Sequence, residues 1–145
     1  MELERLYNNI NSLDVVKLAI EIFENDLAEF IADLNRKQMA DKGQRSDGSK
    51  LTPDYSGFTE LMKRPKSGTA GITSHVTLYD TGELHKSIFA QVVGNEIVLD
   101  SKDWKVFDLT DKYGDFLGLT PESITELQNK FMPIFIQKLN NVILQ

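Results

Sequence analysis

Apolar residues recur at three- and four-residue steps through Leu13, Val16, Ile20, Phe23, Leu27, Phe30, Ile31 and Leu34. That period predicts a long amphipathic helix over residues 13–40. Val15, Ala19 and Ile22 widen its stripe, while Asp14, Lys17, Glu21, Glu24 and Asp33 fall largely off it. Gly43 is placed to end it. Ahead of it, an N-terminal segment (1–10) carries Leu3, Leu6 and Tyr7 at the spacing of a short helix. Asn8, Asn9, Asn11 and Ser12 then interrupt the pattern, since Asn and Ser favour caps over helix interiors.

The pattern changes between residues 41 and 74. The stretch DKGQRSDGSKLTPDYSG is rich in Gly, Ser, Asp and Pro, which predicts turns and an extended irregular loop lying away from the core. Phe58 to Met62 has room for one helical turn. Strand-like composition begins at His75, with Val76, Thr77, Leu78 and Tyr79. Two β-rich runs, 88–93 and 96–100, flank Gly94-Asn95 and predict a hairpin. Trp104, Phe107 and Leu109 fit a helical turn within the remainder of a sheet region spanning 75–110. A last helix (120–143) has Thr120 as N-cap, Pro121 at its first position, and Ile124, Leu127, Phe131, Phe135, Leu139 and Val142 in helical period. Pro133 falls inside it and removes one backbone donor.

The expected fold is therefore a single α+β domain covering 1–145. A small, mostly antiparallel sheet packs on a long N-terminal helix and a C-terminal helix, with a long irregular loop between. Ile20, Phe23, Leu27, Ile31, Val76, Leu78, Ile88, Val92, Ile97, Leu99, Leu127 and Phe131 are the expected core.

The chain contains no cysteine, which excludes disulfides, thiolate metal sites and thiol nucleophiles. MELERLYNNI has no apolar run of leader type, and no stretch reaches the roughly 18 apolar residues of a membrane span. A soluble protein without membrane partners is expected. The net charge of −6 argues against specific nucleic-acid binding, which needs clustered cations. The charge is uneven: residues 1–40 are net −4, residues 41–75 net +2 and residues 76–145 net −4. The basic middle segment, with its few apolar residues, is the natural candidate for a protein interface. Its members are Arg45, Lys50, Leu51, Tyr55, Phe58, Lys63, Arg64 and Lys66.

Catalytic chemistry finds little support. Asp80-Thr81-Gly82 resembles the tripeptide of retroviral-type aspartic proteases, in which two carboxylates share a proton. Here Glu83 follows, where those enzymes have Ala or Ser, and the helical content contrasts with their β architecture. His75 and His85 lack metal-ligand spacing. No serine stands in a nucleophile elbow, and no Gly-Lys-Ser/Thr follows the loop glycines. No catalytic residue, metal or cofactor is expected.

Three strings together carry a resemblance: RSDGSKLTPDYS (45–56), VTLYDTGELHKSI (76–88) and DKYGDFLGLTPES (111–123). In this order, after a long amphipathic helix, they are similar to the virion-morphogenesis, tail-completion and minor-tail proteins of tailed bacteriophages. The resemblance implies a non-enzymatic structural subunit of the virion, placed in the head–tail connector (neck) or a tail-completion ring. Its partners would be further copies of itself and portal, connector or tail-tube proteins. It also implies that Asp80, Thr81, Gly82 and Leu84 shape the turn after the first sheet strand, and that Gly48, Pro53 and Tyr55 shape the long loop. An unrelated protein-binding or adaptor domain is the alternative, with the aspartic protease behind it.

Overall fold

Asp14 accepts a hydrogen bond from the Lys17 backbone N–H at 3.0 Å and so starts the first of two helices that divide the long apolar stripe. The computed structural model describes residues 2–145. In it, α1 (Leu3–Asn11) precedes α2 (Val15–Asn25) and α3 (Ala28–Lys42). The single helix expected over 13–40 is broken at Asp26 and Leu27. Asn25 and Asp26 are poor helix-interior residues, and the Leu27 N–H bonds to the Ile22 carbonyl at 3.1 Å, five residues back. The break tucks the Leu27 side chain into the core. Gly43 closes α3 with a left-handed conformation, φ 58°. A β-carbon there would meet the Val76 carbonyl oxygen at 2.8 Å, so glycine is required by both conformation and space.

Beyond α3 come α4 (Gly57–Lys63), a 3-10 turn (Gly68–Gly71) and α5 (Glu83–Ser87). Strands β1 (Ile88–Val93) and β2 (Glu96–Ser101) form the expected hairpin about Gly94-Asn95, with Ile88 opposite Ser101 and Val92 opposite Ile97. Then follow α6 (Val106–Tyr113) and α7 (Pro121–Ile143), the latter capped by Thr120 as expected and carrying Pro133 inside. Among the described residues the architecture is α+β, with one two-stranded antiparallel sheet. The hairpin lies on α2 and α3, while α7 packs along α1, α2 and α3.

The expected strand at 75–79 is absent. Those residues form no strand: His75 lies in a bend, Leu78 has φ 54°, and side chains hold the segment where a sheet ladder was expected. Tyr55 Oη accepts from the Thr77 N–H at 2.9 Å, and Thr77 Oγ1 accepts from the Tyr79 N–H at 3.2 Å. The loop at 41–74 also departs from expectation. It is irregular apart from α4, the 3-10 turn and an isolated bridge between Gln44 and Lys50, but it does not lie away from the core. Leu51 is 0% exposed and packs in a cluster with Met39, Val76, Ile88, Tyr113 and Phe116.

A second cluster gathers Ile22, Leu27, Ile31, Leu34 and Leu127, flanked by Phe23, Phe131 and Phe135. The Phe131 ring stacks on Phe23 at 4.7 Å and on Phe135 at 5.2 Å. Helix α3 supplies both clusters, Ala32 and Met39 to the first and Ile31 and Leu34 to the second. Leu27, Ile31, Val76, Ile88 and Leu127 are buried as expected, whereas Ile20, Phe23, Leu78, Val92, Leu99 and Phe131 are partly covered. Ile97 is 37% exposed, lining an open cleft with Ile124, Leu127 and Phe131 of α7.

Polar side chains of α3 complete the fold. Asn35 Nδ2 donates to the Phe116 and Gly118 carbonyls, both at 2.9 Å. Gln38 donates to the Gly118 carbonyl at 2.8 Å and accepts from the Thr120 N–H at 2.9 Å. Asn35→Ala leaves two buried or half-buried carbonyls without this donor, so the unfolding free energy should fall by about 1–3 kcal/mol. Urea unfolding checks this, and a loss within error would mean that the 116–118 segment is held by packing alone.

Candidate functional site

Helix α4 begins at Ser56, whose hydroxyl accepts from the Thr59 N–H at 3.2 Å. Phe58 and Met62, one turn apart, therefore share a face. They form one wall of a groove of about 480 Å³ whose other walls are the 78–84 segment and α6. Leu78, Leu84, Leu109 and Tyr113 make it apolar, and Lys63, Lys66, Asp80, Glu83 and Lys105 place charge along it.

Buried Lys63 is the bolt of this wall. Its ammonium donates to the carbonyls of Tyr79 (2.7 Å) and Ala70 (3.1 Å) and sits 5.0 Å from the centroid of the Tyr55 ring. A buried charge is tolerated when it is hydrogen-bonded in this way. Lys66 bonds Asp80 Oδ1 at 2.7 Å. That hydrogen bond, with the charges of Lys66, Lys63 and Lys105, holds the Asp80 carboxyl below the usual carboxylate value. Lys105 lies 3.5 Å from Glu83.

The floor holds an unusual backbone. Leu78 carries the only positive φ among the described non-glycine residues, a conformation that persists where its surroundings over-determine it. Tyr55 and the His85 ring fix the residue before it, at the Thr77 N–H (2.9 Å) and carbonyl (2.8 Å), and Thr77 Oγ1 fixes the residue after it by accepting from the Tyr79 N–H. Tyr79 meets the His85 ring edge-on at 4.9 Å. Gly82, φ +88°, lies so close to Tyr79 that a β-carbon would meet the phenol oxygen at 2.6 Å.

Four residues of the sequence-derived interface set meet at this groove: Tyr55, Phe58, Lys63 and Lys66. The others do not. Arg45, expected to face a neighbouring subunit, is turned inward, donating to the carbonyls of Tyr113 and Lys50 and to Thr52. Leu51 is a core residue and cannot contact a partner from its present position. Lys63 is likewise 6% exposed and serves the wall itself. Lys50 is exposed and paired with Asp54 at 3.0 Å, and Arg64 is exposed at the end of α4. Composition could not separate these roles, because a polar loop looks the same whether it folds onto a core or away from it. The α6 wall, Lys105 and Leu109, was missed as a site element; only the spacing of Leu109 and Tyr113 by one helical turn pointed to a shared face.

Asp80-Thr81-Gly82 acts as the entry to α5. Asp80 pairs with Lys66, Thr81 Oγ1 accepts from the Glu83 N–H at 3.4 Å, and Gly82 is the N-cap. His75 and His85 bond the carbonyls of Ala40 (2.7 Å) and Thr77 (2.8 Å). Among the described residues no three His, Asp or Glu side chains gather to hold a metal ion. No described helix is long and apolar enough to cross a membrane. A second cleft, of about 550 Å³, lies between the hairpin and α7; Gln128 is its one polar side chain. Protein-family models, curated proteins and solved structures yield no match to the chain.

Burial pushes the His85 imidazole below its ordinary value of 6.5, against the opposing bond to Thr77 and with help from the Arg36 charge. A depressed folded-state value means that the unfolded chain binds the proton more tightly. Stability due to His85 is fully present above pH 6.5 and is lost as pH falls through the folded-state value. Denaturation midpoints should therefore drop on acidification in this window. His85→Gln, whose amide can still reach the Thr77 carbonyl, should flatten that drop; an unchanged slope would contradict it.

Proposed function

We propose that this chain is a non-enzymatic structural subunit of a tailed-bacteriophage particle, assembled in the host cytoplasm into a ring of the head–tail connector or the tail end. The observation that carries an assembly role is the α4 wall. Phe58 and Met62 remain 72% and 54% exposed above an apolar groove. Exposed apolar side chains gathered beside a groove mark an interaction site more often than an accident of composition. The groove offers charges already paired with one another rather than an acid and a base converging on a substrate. The similarity of residues 45–56, 76–88 and 111–123 to tail-completion and minor-tail proteins supplies the phage context. The partners are other copies of the chain and portal, connector or tail-tube proteins.

In this reading Phe58, Met62 and Tyr55 supply the affinity. Exposed ion pairs are worth about 0–1 kcal/mol each, so Arg64, Lys66 and Lys105 chiefly set orientation and encounter rate.

Mass spectrometry of purified particles tests the proposal. The chain should be present in wild-type virions, and Phe58→Asp with Met62→Asp should lower its incorporation at least about tenfold while leaving the thermal midpoint unchanged, since both positions are exposed. A chain absent from virions, or incorporated equally well with both substitutions, would overturn the reading. Absence from virions with a cellular protein held at the same groove would favour an adaptor instead.

A further inference from the structure

Helix α1 has no buried residue. Leu3, Tyr7 and Ile10 stand at i, i+4 and i+7 and are all exposed, Tyr7 by 65%, so α1 presents an apolar stripe that its own fold does not cover. Its attachment is slight: it packs on the far end of α7, and Asn9 Nδ2 donates to the Ile143 carbonyl at 2.9 Å. The same chain therefore carries an uncovered apolar helix and an uncovered apolar groove.

They cannot satisfy each other within one molecule. Helix α1 sits at the C-terminal end of α7, beside Ile143. The groove's Tyr113 and Leu84 belong to the core cluster of Met39, at the C-terminal end of α3, where Gln38 pins Thr120 at the start of α7. The 23 residues of α7 lie between, a length of about 34 Å at 1.5 Å per residue. A stripe at one end and a receptor at the other form a head-to-tail contact, the geometry that generates rings or filaments.

Charge favours this pairing. Glu2 and Glu4 flank the start of the α1 stripe together with Arg5, which leaves this turn net −1, and none of the three forms an ion pair among the described residues. Arg64, at the end of the α4 wall, is exposed and equally without an ion pair among the described residues, whereas Lys66 and Lys105 are matched to Asp80 and Glu83.

We propose that the groove between α4, the 78–84 segment and α6 receives helix α1 of a second copy of this chain, with Leu3, Tyr7 and Ile10 lying against Phe58 and Met62 and the acidic start of α1 turned toward Arg64. This is the helix-in-groove mode of recognition, read by anchors at i, i+4 and i+7. It deepens the assembly role proposed above and rests on it only for the choice of a second copy as occupant.

The absence of native cysteine makes the test direct. Tyr7→Cys and Phe58→Cys are placed at exposed positions and should fold. Mixed and mildly oxidised, the two purified variants should give a disulfide-linked heterodimer. Each variant alone should give none, and the doubly substituted chain should give a ladder of higher oligomers. Leu3→Asp should weaken self-association of the wild-type chain about tenfold or more, measured by sedimentation, and Glu4→Arg combined with Arg64→Glu should recover what either charge reversal loses. Cross-linking of Tyr7→Cys alone in preference to the mixture would mean that α1 pairs with α1 and would overturn the proposal. So would a mixture that links no better than Phe107→Cys with Phe58→Cys, or a wild-type chain that stays monomeric at every concentration. Because the assay uses the purified chain, cross-linking that succeeds while virions lack the protein would remove the phage role and leave this contact standing.

Discussion

Helix α3 carries two amides, Asn35 and Gln38, and the guanidinium of Arg36 inward, and the rest of the molecule is arranged around that fact. Asn35 and Gln38 hold the 116–120 connection and the first residue before α7. Between them Arg36 donates to the carbonyls of His85 at 2.7 Å and Ile88 at 2.8 Å, and it is held in place by Glu29 and Asp33. Three neighbouring residues thus tie α5, β1, the 116–120 turn and α7 to one helix. Apolar packing alone would leave those backbone groups unpaired, and unpaired buried polar groups are expensive. The two hydrophobic clusters both draw on this helix, Ala32 and Met39 in one and Ile31 and Leu34 in the other, and Leu99 packs against both.

This hub decides which surfaces are spoken for. Three buried or half-buried cations serve internal carbonyls: Arg36 at β1, Arg45 at α6 and Lys63 at Tyr79. What remains outward on the groove side is α4's Phe58–Met62 face and Arg64, above a floor held rigid by Tyr55, Thr77 and His85. A binding surface on a fixed scaffold loses little conformational entropy on association. The strained Leu78 backbone at its centre is consistent with a floor held by its surroundings rather than by local preference.

Much of the fold was legible because the signals were local. Thr120 with Pro121, Gly43, and Gly94-Asn95 between two β-rich runs each encode their own turn or cap, and each acts where expected. The errors arose where tertiary contacts decide. Val76 to Tyr79 has the composition of a strand, yet hydrogen bonds from Tyr55 and His85, distant in sequence, shape it. The break at Asp26 preserves the apolar stripe, so periodicity passes through it unseen. Of the candidate interface residues, Tyr55, Phe58, Lys63 and Lys66 line one groove. Leu51 lies in the core, and a Gly- and Ser-rich loop gives no hint that a leucine within it is fully buried.

The fold is a scaffold organised by α3 that leaves the apolar stripe of one helix and one groove uncovered, the two surfaces we propose to meet in assembly. Hydrogen exchange, compared residue by residue between the dilute chain and its assembled form, tests this most directly. The account predicts added protection in residues 3–11, 57–63 and 105–113, with the amides of α3 and of Thr120 already slow in the dilute chain and unchanged on assembly. Protection gained chiefly along the hairpin and the outer face of α7, or fast exchange at Thr120 before assembly, would contradict it.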